Sequence, residues 1–407
     1  MVLATAVGEK GIVIWRAALS ALCAGLIGIG FARFAYSPLI PALVAERWFS
    51  PPQAAYLGAA NLGGYLVGAL IAGRMNRAAS AATVLRAMML LATASFFACA
   101  YPLPFTWFFA WRFAAGIAGG VLMVLAALAV LPHVPARLRG RVGGAIFSGV
   151  GLGVAASGTL VPLLMRLGLS ETWISFGLIS LALTIVAWTG WPRDPPAHLA
   201  AEQVAAAASK PRANRAFLAL CAEYALNAVG LVPHMVFLVD FVARGLGRGL
   251  AAGGFYWTIF GVGAVAGPLL TGAIADRVGF RRTLQASFLV QAAAVAAPAV
   301  SDGPIALVIS SAVVGLFVPG VVPLVLGRMH ELVHEARARQ KAWSWCTTAF
   351  AVGQAAAAYG FSYLFAQTGG AYALLFALAA AALLIALVLD LAQGAESPRH
   401  WEETAQS

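Results

Sequence analysis

Long apolar segments separated by short polar turns make up almost the whole of this 407-residue chain. A membrane-spanning helix needs about 20 predominantly apolar residues, and twelve segments approach or exceed that length. We place these predicted spans at residues 13–35, 53–73, 83–101, 105–131, 143–165, 172–191, 215–241, 251–274, 283–300, 304–327, 343–366 and 371–391. The pattern predicts an all-α membrane protein with twelve transmembrane helices.

The first apolar segment has basic flanks, Lys10 and Arg16, and so has the outline of a signal peptide. It is too long for one and lacks a convincing small-residue cleavage site. It also completes an even number of segments. We therefore keep it as the first span.

Composition agrees with a membrane protein, since 61% of the residues are hydrophobic and 10% are charged. Of the 26 lysines and arginines, 20 fall on alternate connections that include the N-terminus or at the span ends next to them (Arg16, Arg86 and Arg215), 4 fall on the other connections, and 2 lie deep within spans. This asymmetry predicts that both termini are cytoplasmic. It also accounts for the net charge of +11 without a nucleic-acid partner, because no basic domain is formed.

A hydrophilic segment at 193–214 divides the chain into two sets of six spans. We predict an N-terminal six-helix half at 1–192, a cytoplasmic linker at 193–214, a C-terminal six-helix half at 215–392 and a cytoplasmic tail at 393–407. Two pseudo-symmetric halves with a site between them at mid-membrane are typical of one large group of secondary transporters.

One charged turn lies between the eighth and ninth spans and contains the most informative motif in the chain. It resembles the Gly-x-x-x-Asp-Arg-x-Gly-Arg-Arg signature of the major facilitator superfamily, with Phe280 as the single departure. Gly272, at its start, allows close approach to a neighbouring backbone, and Gly279 forms the turn. We interpret it as a latch that holds helix ends together in one conformation; its residues are Gly272, Asp276, Arg277, Gly279, Arg281 and Arg282.

Other segments extend the resemblance to the whole chain. The fourth span carries Arg112-x-x-x-Gly116, similar to a superfamily motif associated with substrate or proton coupling. The fifth span lacks the Gly-Pro pair of the drug–proton antiporters, because its proline, Pro162, follows the glycines. The first two spans, residues 28–41 and 61–68, look like the bacterial YbfB/YjiJ-type branch. The resemblance implies two rocking halves with a substrate site lined by spans one, four, seven and ten.

Three basic or potentially basic groups lie at one predicted depth within the spans. Arg33, Arg112 and His234 are each 18 residues from the cytoplasmic end of their span, about 27 Å along a helix. We predict an anion site in which the two arginines hold a carboxylate or similar group, with Tyr36, Asn227 and His234 as further contacts. The alternative is that each arginine stays near the outer interface, where it reaches the surface or pairs with Asp240 or a backbone carbonyl.

Glu223 lies eight residues into the seventh span, nearer the cytoplasm. A carboxyl group in such surroundings can load and release a proton, so we predict proton coupling there. The alternative is a structural ion pair with a loop arginine, Arg328 or Arg337.

The sequence His330-Glu331-Leu-Val-His334 matches the His-Glu-x-x-His pattern of zinc proteases. It lies in a short, strongly basic connection between the tenth and eleventh spans, and no third ligand is evident. The four cysteines fall in apolar spans without metal spacing. We therefore expect no metal, no cofactor and no enzyme activity, and a membrane metalloprotease remains a minor alternative.

These features predict a secondary transporter that works by alternating access in a bacterial inner membrane. No phosphate-binding loop is present, so the energy would come from an ion or substrate gradient. We expect the cargo to be a small organic anion moved together with protons by a monomer embedded in the lipid bilayer. Proton-coupled efflux of drugs or metabolites is the alternative.

Overall fold

The computed structural model describes residues 2–192, 215–333 and 335–395, and all regular secondary structure within them is helical. The predicted linker at 193–214 and nearly all of the predicted tail lie outside these residues, so the predicted domain boundaries stay predictions. Thirteen α-helices follow one another along the described chain: α1 (Val2–Gly25), α2 (Tyr36–Ala45), α3 (Pro51–Ala78), α4 (Ala81–Ala98), α5 (Phe105–Val130), α6 (Ala136–Leu164), α7 (Leu169–Ala187), α8 (Arg215–Asp240), α9 (Gly249–Val278), α10 (Phe280–Val300), α11 (Pro304–Leu332), α12 (Ala336–Gln367) and α13 (Tyr372–Ala395).

Eleven helical segments in the described ranges are long and apolar enough to cross a membrane. The first of them, Ile14–Ala45, joins α1 and α2 and extends ten residues beyond the predicted end of the first span. Helix α12 has 32 residues and contains the predicted span 343–366, but it is not one of the eleven. Hydroxyl, amide and basic side chains recur along it and lower its hydropathy. The twelfth span therefore stays a prediction.

Contacts between helix termini identify the two ends of the helical bundle. At one end, Arg16 Nη2 donates to Thr189 Oγ1 over 2.9 Å, which joins the start of the first span to the end of α7. At the other, Arg244 Nη2 donates to Tyr372 Oη over 3.2 Å, which joins the end of the seventh span to the start of α13. We call the first the basic end, because the turn 276–282 lies there, and the second the opposite end.

The first span is interrupted near its middle. After Gly25 the helix widens into a π-helical segment, Leu26–Phe31, in which Ala32 N donates to Ile27 O over 2.9 Å. Residues 32–35 then form a turn before α2 begins. Pro38 has no N–H to donate to the carbonyl of Phe34, which favours a break at this point. The interruption places the arginine at position 33 on non-helical backbone within the bundle.

Glycines allow helices to pack backbone against backbone in both parts of the chain. A side chain at any of four positions would overlap a carbonyl oxygen of the neighbouring helix. Such close contacts replace the hydrophobic driving force that is absent between helices in lipid. The same pairing occurs twice, between α3 and α5 and between α9 and α11, at Gly64 on Phe113, Gly68 on Ile117, Gly263 on Ala312 and Gly267 on Leu316.

Helices α1–α7, the N-terminal group, meet helices α8–α13, the C-terminal group, along two main seams and one central contact. One seam joins α6 to α9, where Trp257 Nε1 donates to Ser157 Oγ over 3.1 Å. The other joins α3 to α12. Between the seams, Ser37 of α2 donates from its hydroxyl to the carbonyl oxygen of Met235 in α8. All residues from 230 to 243 are buried, whereas buried and partly exposed residues alternate nearer the basic end of α8. The two groups are therefore closed against each other toward the opposite end.

Candidate functional site

Arg33 lies where the two groups of helices meet, and no carboxylate that the structure describes is its counterion. The side chain is half-buried, with its guanidinium carbon 5.1 Å from the ring centre of Phe34 and 5.2 Å from that of Tyr65. Nη2 lies 3.8 Å from Met235 Sδ, and the buried Nε has no hydrogen-bond partner. Within the described residues Arg33 forms no ion pair. Because a guanidinium has five N–H donors and a thioether is a weak acceptor, most of its hydrogen-bonding capacity is unused.

Arg112 lies behind Arg33, inside the N-terminal group. Its side chain is 3% exposed, its Nη1 donates to Ala32 O over 2.5 Å, and its guanidinium carbon is 4.1 Å from the ring centre of Tyr36. Its Nε also lacks a partner, and no described carboxylate pairs with it. Arg112 thus binds the backbone of the residue that precedes Arg33.

Two polar side chains support this interruption of the first span. Tyr36 Oη donates to Ala54 O over 2.8 Å, which fixes the ring that covers Arg112. Asn61 Nδ2 donates to Arg112 O over 3.2 Å and lies 3.5 Å from Ala32 O. Together with Arg33 and Arg112 they form a set that we call the arginine cluster. Tyr36 belongs to it as a supporting residue.

Met235 and Gln354 face Arg33 from the C-terminal group. Gln354 is 2% exposed, and its Nε2 donates to Met235 Sδ over 3.6 Å. The Met235 sulfur is therefore shared between Gln354 and Arg33. Sequence reasoning missed Met235, since a methionine in an apolar span is indistinguishable from a packing residue.

The carboxylate weighed as an alternative partner of the arginines is engaged elsewhere. Asp240 accepts hydrogen bonds of 2.5 and 2.6 Å from Arg244 and one of 2.5 Å from Tyr372 Oη. This group lies at the opposite end and joins α8 to α13. It satisfies Asp240, so no carboxylate among the described residues pairs with the arginine cluster.

His234 and Asn227 are not brought together with the arginine cluster. His234 Nε2 lies 2.7 Å from Ser310 Oγ, which itself donates to Ala294 O over 2.6 Å. Asn227 Nδ2 donates to Gln291 Oε1 over 2.9 Å. Both side chains thus face α10 and α11, within the C-terminal group. His234 precedes Met235 directly in the sequence and so lies at nearly the same depth. Adjacent residues of a helix are turned by about 100° from each other, and the histidine lies on a different face.

Glu223 is buried, with 2% exposure, and its Oε2 has no hydrogen-bond partner. Asp390, Arg328 and Arg281 are the charged side chains that act on it electrostatically. Each arginine already has a closer carboxylate: Arg281 Nε lies 3.2 Å from Asp390 Oδ2, and Arg328 Nη1 lies 2.7 Å from a Glu331 oxygen. Glu223 forms no ion pair within the described residues. The side chain of Arg337, the other candidate partner, is outside them.

The charged residues of the predicted latch do not pair with one another in the described part of the chain. Asp276, Arg277 and Arg282 are exposed and form no ion pair with any side chain that the structure describes. Arg281 contacts the last helix instead, where its Nη2 donates to Asp390 O over 2.5 Å. The two glycines of the motif differ in their surroundings.

Gly279 has φ 95° and forms the turn between α9 and α10, as expected of a residue without a Cβ. Gly272 was expected to allow close approach to another backbone. That expectation is wrong for this conformation, since no described atom lies within 4 Å of a Cβ built at this position.

The His-Glu-x-x-His pattern does not form a metal site in the described part of the chain. Helix α11 ends at Leu332, before His334, which lies outside the described residues. Glu331 is paired with Arg328. No group of three or more potential metal ligands occurs among the residues that the structure describes.

The arrangement of helices is that of a known class of membrane transporters. The solved structure described as a D-xylose-proton symporter matches with a TM-score of 0.72 and 16% sequence identity, over 92% of this chain and 97% of the other. Identity at this level supports the fold alone. The chain belongs to the major facilitator superfamily, in the family described as uncharacterised MFS-type transporter YbfB, whose model matches residues 25–391. No curated protein matches the sequence significantly. The protein is thus a multi-pass membrane protein of a transporter family.

Proposed function

We propose that this protein is a secondary active transporter that moves a small organic anion together with protons by alternating access. The observation that carries the proposal is the guanidinium of Arg33, which has no described counterion, at the boundary between the two groups of helices. A charged group costs several kcal/mol in a low-dielectric interior unless it has a partner. A carboxylate of the cargo would supply that partner with bidentate hydrogen bonds.

The position of Arg33 suits a cargo that both groups must hold. The N-terminal group supplies the arginine, and Met235 and Gln354 of the C-terminal group lie next to it. An anion bound to Arg33 would therefore replace the weak sulfur contact and touch both sides of the boundary. Binding at such a place can bias the relative position of the two groups, which alternating access requires.

Glu223 would carry the coupled proton. It is buried and has no ion-pair partner among the described residues, yet it lies in the part of α8 where buried and partly exposed residues alternate. Glu223 and Met235 belong to the same helix, twelve residues apart, which is about 18 Å along its axis. We propose that protonation of Glu223 and occupation of Arg33 are linked through α8.

The unpaired charges of the predicted latch support a conformation that is open at the basic end. The two groups are closed toward the opposite end, and Asp276 is free of described partners at the basic end. In the proposed topology of twelve spans with cytoplasmic termini, the basic end faces the cytoplasm of a bacterial cell. This conformation would then present the site to the cytoplasm.

Thermal unfolding of the purified protein tests the proposal without an assumed cargo. We would measure Tm in detergent with a panel of small carboxylates, sugars, amino acids and amphiphilic cations. A ligand that binds the folded state raises Tm, so carboxylates should raise it in the wild type and leave it unchanged in Arg33→Gln. Stabilisation by cations alone would contradict the proposal and favour efflux of drugs or metabolites.

A further inference from the structure

Cys221 and Cys346 form a close pair of free thiols on two different helices. Their Sγ atoms are 3.3 Å apart, Cys221 on α8 and Cys346 on α12. A disulfide bond has an S–S distance of about 2.0 Å, so a movement of little more than 1 Å would join them. Cys221 is partly exposed, whereas Cys346 is fully buried. The two other cysteines, Cys23 and Cys99, are buried and form no such pair among the described residues.

The two helices hold the thiols in register. Helices α8 and α12 run in the same direction, and ring pairs flank the cysteines on both sides along the contact. The ring pairs are Phe217 with Trp345, with centroids 6.2 Å apart, and Tyr224 with Phe350, with centroids 4.5 Å apart. Beyond the second pair, a Cβ built at Gly353 would lie 2.6 Å from Ala225 O, so the backbones are in contact there. Sliding of one helix past the other would disrupt all three.

We propose that Cys221 and Cys346 are a dithiol modification site that reacts with small disulfides. The Cys221 thiolate attacks one sulfur of the small disulfide, forms a mixed disulfide and releases one thiolate. The Cys346 thiol then attacks the Cys221 sulfur, loses its proton and releases the second small thiol. Two protein thiols are thereby oxidised to one intramolecular disulfide, and one small disulfide is reduced to two thiols. The accessible cysteine reacts first, because the buried one cannot meet a water-borne reagent.

The disulfide would fix the helix that carries Glu223. Cys221 precedes Glu223 by two residues, and α12 reaches the N-terminal group at Tyr359, whose ring lies beside Gly63. Oxidation therefore links α8 covalently to α12 between the basic end and the seam with α3. Reduction breaks the disulfide, so the modification is reversible.

Dithionitrobenzoate tests the site by stoichiometry and needs no transport assay, so its outcome is independent of the proposed function. The folded, reduced protein in detergent is mixed with the reagent, and released thionitrobenzoate is measured by its absorbance. The wild type should release two per molecule and retain none, and peptide mapping should find the disulfide between Cys221 and Cys346. The variant Cys346→Ser should release one and retain one as a mixed disulfide. The variant Cys221→Ser should release none on the same timescale.

The proposal is overturned if the wild type retains the adduct, if Cys221→Ser reacts as fast as the wild type, or if the disulfide joins two molecules. Cys23 and Cys99 remain in all three proteins as internal controls, because their burial should keep them unreacted. When each protein is unfolded in a detergent-compatible denaturant before the reaction, all of its remaining thiols should react. This control verifies that the folded state causes the selectivity among the cysteines.

Discussion

Arg112 donates a hydrogen bond of 2.5 Å to the carbonyl oxygen of Ala32, the residue that precedes Arg33. The break in the first span leaves backbone groups without helical partners, and a buried carbonyl needs a donor. Arg112 supplies one and is held in place by the face of the Tyr36 ring. The two arginines therefore have different tasks: Arg33 faces the boundary between the helix groups, and Arg112 positions the segment that bears it.

Replacement of Arg33 separates cargo binding from folding. Arg33→Gln removes a half-buried charge that has no described counterion, so stability should be unchanged or slightly higher. Hydrogen bonds to charged groups contribute about 1.5–3 kcal/mol, and carboxylate affinity should fall about 10- to 100-fold. Titration calorimetry with the best carboxylate from the thermal panel measures this. Arg166→Gln, an exposed change at the opposite end, is the matched control and should keep wild-type affinity.

Replacement of Arg112 should also weaken binding, although Arg112 would not touch the cargo. Lysine in Arg112→Lys retains the charge but lacks the planar group that bonds Ala32 O and stacks on Tyr36 at once. We expect at least about a tenfold loss of carboxylate affinity and a lower Tm. Tyr36→Phe keeps the ring and loses only the hydrogen bond to Ala54 O, so it should cost about 1 kcal/mol of stability. Wild-type affinity in Arg112→Lys would remove the positioning role.

Glu223 should be needed for proton-driven uptake and dispensable for exchange. Glu223→Gln keeps the shape of the side chain and cannot release a proton. Proteoliposomes with this variant should exchange labelled cargo across the membrane and fail to concentrate it in response to a pH gradient. Uptake driven by the gradient at the wild-type rate would exclude Glu223 from the coupling.

Two glycines of α9 provide a matched test of the packing. A Cβ at Gly267 would overlap the carbonyl oxygen of Leu316, whereas a Cβ at Gly272 meets open space. Gly267→Ala should therefore destabilise the protein by about 1–3 kcal/mol, and Gly272→Ala should stay within about 1 kcal/mol of the wild type. Thermal unfolding of the two variants compares them directly. Equal Tm values would show that α9 and α11 are not in backbone contact.

The latch hypothesis predicts that an Asp276 variant changes the conformational equilibrium. Asp276 has no described partner in the conformation seen here. If it pairs only when the basic end is closed, Asp276→Asn weakens that state and shifts the population toward the present one. Distances between spin labels placed on α3 and α12 at the basic end should lengthen on average. A shift toward shorter distances would contradict the latch hypothesis.

The apolar segments predicted the membrane class and twelve spans, of which eleven are found in the described residues, because each such helix must be apolar over a fixed length. The common depth of Arg33, Arg112 and His234 stays a prediction. The sequence could not predict which face of α8 points toward the arginine cluster. Residues 230–243 are buried all round, so no polar face distinguishes His234 from Met235. The π-helical segment Leu26–Phe31 also changes the register of the first span, so the positions of later residues cannot be derived by counting along a regular α-helix.

Charge movement across proteoliposomes most directly tests the central claim that Arg33 binds the carboxylate of a cargo moved with protons. Proton-linked currents would be recorded on addition of carboxylates, sugars, amino acids and amphiphilic cations, in the wild type, Arg33→Gln and Arg166→Gln. The account predicts currents with carboxylates alone, lost in Arg33→Gln and retained in Arg166→Gln. Currents with cations alone, or carboxylate currents unchanged in Arg33→Gln, would contradict it.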